Sequence, residues 1–129
     1  MTTQSWARSL ADTRPLVLVI EHNRADVFLV ERAIELRRLP VRILVLDDGE
    51  EASRYFTQAD ADPNTPCPAA VLLDLNLPRK SGQEVLRHIK SSEKCMDVPV
   101  VILTSSNSQE DRRETAALGA AGYFRKPAS

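Results

Sequence analysis

Five short apolar runs, each separated from the next by a stretch with helical spacing, constrain this chain more than any other feature. They read LVLVI (16–20), VRILVLD (41–47), AAVLLD (69–74), VPVVILTS (98–105) and AGYFRK (121–126). Each is rich in Val, Ile or Leu or short enough for a strand, and most are continuous instead of alternating. Continuous runs suit parallel strands covered on both faces. Val27, Val30 and Ile34 form a helical stripe within 24–38. Ala52, Tyr55, Phe56 and Ala59 form a second within 49–59, and Val85, Leu86 and Ile89 a third within 82–92. The segment 108–120 is mostly polar, with Ser108 placed to cap a helix and Gly119 placed to end it.

Strand and helix alternate four times before a fifth strand, which predicts an α/β fold: a doubly wound parallel five-stranded sheet with right-handed crossovers. Residues 15–129 make one domain, and residues 1–14 precede it as a tail or short helix. Only three residues follow Lys126, so the helix expected after the fifth strand is missing. The apolar flank it would cover needs another cover. The segment holding Trp6 and Leu10 is one candidate, and a second copy of the chain is the other. So short a segment is a marginal helix alone, so the expectation is a homodimer.

Composition narrows function by exclusion. A formal net charge of -1 gives no ground for general nucleic-acid or membrane binding. The basic pairs Arg37–Arg38 and Arg112–Arg113 read as solvated helix faces. No run approaches the roughly 18 apolar residues of a spanning helix, and no signal peptide is visible. Cys67 and Cys95 lie far apart without metal-ligand spacing, which predicts a reduced, cytoplasmic protein with two structural thiols. His88, beside Val85 and Ile89, reads as a partly buried structural histidine.

Open parallel sheets place their sites at the carboxyl ends of the strands. Those ends carry Glu21 and His22, then Asp74, Thr104 and Lys126. Acid, acid, hydroxyl and ammonium on four strand ends suit phosphoryl transfer to a carboxylate. Asp74 would attack phosphorus and become an acyl phosphate. A divalent cation would neutralise charge on the phosphoryl oxygens, which Thr104 and Lys126 would also contact.

The stretches LLDLNLPRKSG, VILTSS and GYFRKP resemble the signature of response-regulator receiver domains of two-component signalling, across roughly residues 15–127. The resemblance implies the flavodoxin-like receiver fold, with strand order 2-1-3-4-5. It implies Asp74 as phosphoacceptor, Thr104 and Lys126 as switch and phosphate-sensing residues, and Tyr123 as the aromatic switch. It further implies magnesium held by Glu21, Asp74 and the backbone carbonyl of Asn76, and Gly82 as the turn after the acceptor loop. The implied partner is a sensor histidine kinase. The LDLNLP loop and the insert before it are similar to small single-domain regulators that partner phytochromes, which points to a kinase of that kind.

One position departs from the pattern. Family members usually carry two adjacent acids after the first strand, whereas this chain reads Glu21–His22. A neutral imidazole is a poor ligand for a hard, oxygen-seeking ion, and its presence removes one negative charge. The expectation is weakened magnesium binding, with a shift toward softer metals as the other possibility. Two functions stay open: a regulator phosphorylated on Asp74 that signals through protein binding, and a degenerate receiver that acts as an interaction module without phosphorylation. A hydrolase using Asp74 as covalent nucleophile would need a positioned base and a substrate-binding cap, and beyond His22 the sequence offers neither.

Overall fold

A computed structural model of the chain describes residues 12–127. The segment holding Trp6 and Leu10 therefore lies outside the described residues. The elements are β1 (Leu16–Ile20), α1 (Arg24–Leu36), β2 (Arg42–Leu46), α2 (Gly49–Ala61), β3 (Ala70–Leu73), α3 (Gly82–Ser91), β4 (Val100–Thr104), α4 (Gln109–Ala117) and β5 (Gly122–Arg125). The five strands form one parallel sheet in the order β2-β1-β3-β4-β5. That is the expected fold and strand order.

Each helix starts on a side-chain cap. Asn23, Asp48, Ser81 and Ser108 each accept a hydrogen bond from a backbone N–H of the first helical turn. Such caps satisfy donors that have no partner within the helix. Ser81 and Glu84 form a reciprocal capping box at α3. Gly119, at φ 97°, ends α4 in a conformation that favours glycine.

The core lies on one face of the sheet. Leu18, Ile20, Val71, Leu73, Val100 and Ile102 are fully buried in one cluster with Ala52, Tyr55 and Phe56 of α2 and Val85, Leu86 and Ile89 of α3. The other face is less covered than continuous apolar runs imply. Val17, Leu72, Val101 and Leu103 are only half-buried. No residue of α1 is fully buried, and Phe28 and Phe124 remain 58% and 61% exposed. Among the described residues no helix follows β5.

The reading of two free thiols is wrong: Cys67 and Cys95 form a disulfide. Sequence separation misleads here because β3 and β4 are parallel neighbours. Their leading loops start from the same edge of the sheet, which brings residues 28 apart in sequence side by side. Polar contacts tie the same loops together. The Lys94 ammonium donates to the carbonyls of Ala59, Asp62 and Thr65, and the Asp60 carboxylate accepts from the Ser92 hydroxyl and the Lys94 N–H. The cysteines therefore no longer argue for a reducing compartment.

Among the described residues no helix is long and apolar enough to cross a membrane. His88 is half-buried, 3.4 Å from the Thr57 hydroxyl, and burial lowers its pKa. That matches the structural role read from its position on α3.

Candidate functional site

The parallel register places the carboxyl ends of the strands together. Ile20 lies opposite Leu73, Leu73 opposite Ile102, and Thr104 opposite Arg125. Ladder bonds continue one residue further: Asp74 N–H donates to the Ile20 carbonyl at 3.0 Å, and Lys126 N–H to the Thr104 carbonyl at 2.7 Å. The backbones of Asp74 and Lys126 are thus fixed by the sheet itself. Together with Glu21, His22, Asn76 and Ser105 they line a cleft of about 400 Å³.

At its centre stands the Lys126 ammonium, 2.8 Å from Glu21 Oε1, 3.0 Å from Asp74 Oδ2 and 2.7 Å from Asp26 Oδ2. Glu21, Asp74 and Lys126 are all nearly withdrawn from solvent, with side chains 6%, 7% and 12% exposed. Burial alone would disfavour the ammonium. Hydrogen bonds that it donates to Asp26, Glu21 and Asp74 outweigh it and raise the Lys126 pKa, so the side chain stays charged. At Glu21, burial raises the carboxyl pKa, with the nearby Asp74 charge acting in the same direction; the bonds from Lys126 and the Asn23 N–H oppose it. Three carboxylates around one ammonium leave an excess of two negative charges. The cleft is therefore suited to a divalent cation.

Asp74 presents its other oxygen, Oδ1, to the Asn76 N–H at 3.2 Å. Asn76 is exposed on the cleft wall. Close beneath, α3 approaches the acceptor loop: a Cβ on Gly82 would land on the Asp74 carbonyl oxygen, and the Gly82 N–H donates to the Leu75 carbonyl at 3.0 Å. Only a residue without a side chain permits that approach.

Thr104 is fully buried, and its hydroxyl oxygen accepts from the Ser106 N–H at 3.4 Å. Ser106 then links two elements. Its hydroxyl donates to Asp111 of α4 at 2.6 Å, and its carbonyl accepts from the Tyr123 hydroxyl at 3.1 Å. The half-buried Tyr123 ring carries the Arg112 guanidinium 4.4 Å from its centre. A continuous chain of contacts thus runs from Thr104 to α4 and β5.

The structure joins Glu21 and Asp74 through Lys126, places Asn76 beside them, and sets Thr104 at the end of β4 and Tyr123 on the neighbouring β5, linked through Ser106. His22 is exposed and lines the cleft. Among the described residues no group of three or more His, Cys, Asp or Glu side chains is arranged to hold a metal by itself. The oxygen donors present fit a hard ion that also takes a backbone carbonyl and waters. Sequence reasoning missed Asp26. An acid in the first turn of a helix already has an explanation in the helix dipole, and its partner lies 100 residues away.

Comparison with known proteins agrees with this geometry. Residues 17–129 match the response regulator receiver domain family. The response regulator Rcp1 of Synechocystis sp. is 36% identical over 96 residues, which cover 74% of this chain and 65% of Rcp1. A crystal structure of its Mn(2+)-bound form superposes with a TM-score of 0.81 at 33% identity, covering 89% of this chain and 83% of that one. The phosphorylated cyanobacterial phytochrome response regulator RcpA gives 0.82 at 34% identity, covering 91% and 84%.

Proposed function

The chain belongs to the response regulator receiver domain family, and from that premise we propose that it is a single-domain response regulator phosphorylated on Asp74 by a sensor histidine kinase. The observation that carries this reading is the Asp74 carboxylate held at a strand end by the Lys126 ammonium, which Glu21 shares. Phosphorylated RcpA supports the modification, and Mn(2+)-bound Rcp1 supports the binding of a divalent ion. Likeness to the phytochrome response regulator RcpA supports a kinase of the phytochrome kind, and a cytoplasmic location goes with that reading.

Asp74 is the nucleophile. Its Oδ1 and Oδ2 are already oriented by the Asn76 N–H and by Lys126, so little reorganisation precedes attack. Glu21, Asp74 and the Asn76 carbonyl would hold magnesium, which when bound would neutralise charge on the phosphoryl oxygens. Lys126, already bonded to Asp74, would balance one of those charges. The new phosphoryl group recruits the Thr104 hydroxyl and pulls on the Ser106 loop. Tyr123 and α4 follow, since both are bonded to Ser106. The surface formed by α4 and β5 therefore exists in two arrangements, and a protein partner reads which one is populated. The protein acts as a signalling module rather than an enzyme. A second copy covering Val17, Leu72, Val101 and Phe124 makes the homodimer expected from the sequence.

The second reading is a receiver that works without phosphorylation, and the exposed His22 in place of a carboxylate favours it. Backbone amide NMR separates the two. Addition of a small phosphodonor with magnesium is expected to shift the Thr104, Ser106, Tyr123 and α4 amides, and Asp74→Asn is expected to remove the response. Shifts confined to residues 74–76 would contradict signalling through α4 and β5.

A further inference from the structure

Asp26 occupies the third position of α1, where an acid ordinarily reaches back to the N–H of the capping residue. That donor is already taken: the Asn23 N–H donates to Glu21 Oε2 at 3.0 Å. Asn23 in turn caps the helix through its own side-chain oxygen, which accepts from the Ala25 and Asp26 N–H groups. The Asp26 carboxylate is thereby released from capping, and it makes the shortest of the three bonds to Lys126, at 2.7 Å. Its side chain is 26% exposed, against 6% and 7% for Glu21 and Asp74, so it closes the solvent side of the ammonium.

Charge counting gives this contact a consequence. Glu21 and Asp74 against Lys126 leave one excess negative charge, too little to match a divalent cation. Asp26 brings the excess to two. His22, on the same cleft wall, contributes no carboxylate. We propose that Asp26 is the acid that completes this cleft: it shares the Lys126 ammonium with Glu21 and Asp74 and supplies the negative charge that His22 does not bring to a bound divalent cation. Asp26 is here a positioning residue that acts through Lys126 and through water on the ion.

This inference rests on the proposed cation-dependent function, and one set of titrations separates the two. Magnesium and manganese affinities are measured by calorimetry for the unaltered protein, Asp26→Asn, His22→Asp with Asp26→Asn, and Asp47→Asn. Outer partners of a metal site contribute roughly 10- to 100-fold to affinity. Asp26→Asn is expected to weaken both cations by about tenfold or more, and adding His22→Asp is expected to restore most of that loss. Asp47→Asn removes the same charge from the neighbouring cavity, which His22 also lines, and is expected to leave affinity within about twofold. A metal-free readout accompanies these: the Lys126 ammonium is expected to give a protected NMR signal that Asp26→Asn loses. Equal affinities for Asp26→Asn and the unaltered protein would overturn this inference and leave the proposed function standing. Failure of the unaltered protein to bind either cation would overturn both.

Discussion

Gly82→Ala is expected to lower stability by about 3 kcal/mol or more, the upper end of what overpacking costs. The added Cβ would fall on the Asp74 carbonyl oxygen and sit 2.6 Å from Leu75 Cα. Both obstacles are backbone, and the sheet fixes one of them through the Asp74 N–H bond to Ile20. No flexible side chain can swing aside to relieve the contact. Either α3 retreats, opening the cluster around Val85, Leu86 and Ile89, or the acceptor loop shifts. A shift of about 1 Å at a reacting group costs on the order of 100-fold in rate. Urea unfolding and the rate of phosphorylation by a small donor check the two effects separately. An unchanged midpoint together with an unchanged rate would mean that α3 does not press on the acceptor loop.

Breaking the Cys67–Cys95 bond is expected to cost a comparable amount. The bond closes a loop of 28 residues, and the chain-entropy treatment of such a loop gives about 3–4 kcal/mol at 25 °C. Against a total of roughly 5–15 kcal/mol for a domain, that is a large share. Cys67 is half-buried, which makes Cys67→Ser the gentler probe, since Cys95 stays in the core as a small apolar residue. Oxidised protein should lose this stability on adding a dithiol reductant, whereas Cys67→Ser should be equally stable with and without it. The loops keep their Lys94 and Asp60 contacts in both cases, so the fold itself should persist. Identical midpoints for oxidised and reduced protein would contradict the cross-link's contribution.

The architecture was legible because it rests on local signals. The run LVLVI coincides with β1, and the cap at Ser108 with the glycine at 119 bounded α4 although Thr115 is its one buried residue. The site was legible in part for the same reason: a strand end is a sequence feature, and parallel register then gathers Glu21, Asp74 and Lys126 automatically. Features that depend on neighbours in space were not readable. The disulfide joins two loops that meet only because β3 lies beside β4. Asp26 has a sufficient local explanation, and its partner across the cleft is invisible until the sheet is assembled. Continuous apolar runs predicted two covered faces, yet Val17, Leu72 and Leu103 are half-buried among the described residues.

Asp74 lies in the cleft with Glu21 and Lys126, and its modification is the event on which the account depends. The most direct test is intact-mass measurement after incubation with a small phosphodonor, with and without magnesium or manganese. The unaltered protein is expected to gain the mass of one phosphoryl group only when a divalent cation is present, and Asp74→Asn is expected to gain none. Labelling that persists in folded Asp74→Asn, or an unaltered protein that takes up no phosphoryl group with either cation, would contradict it.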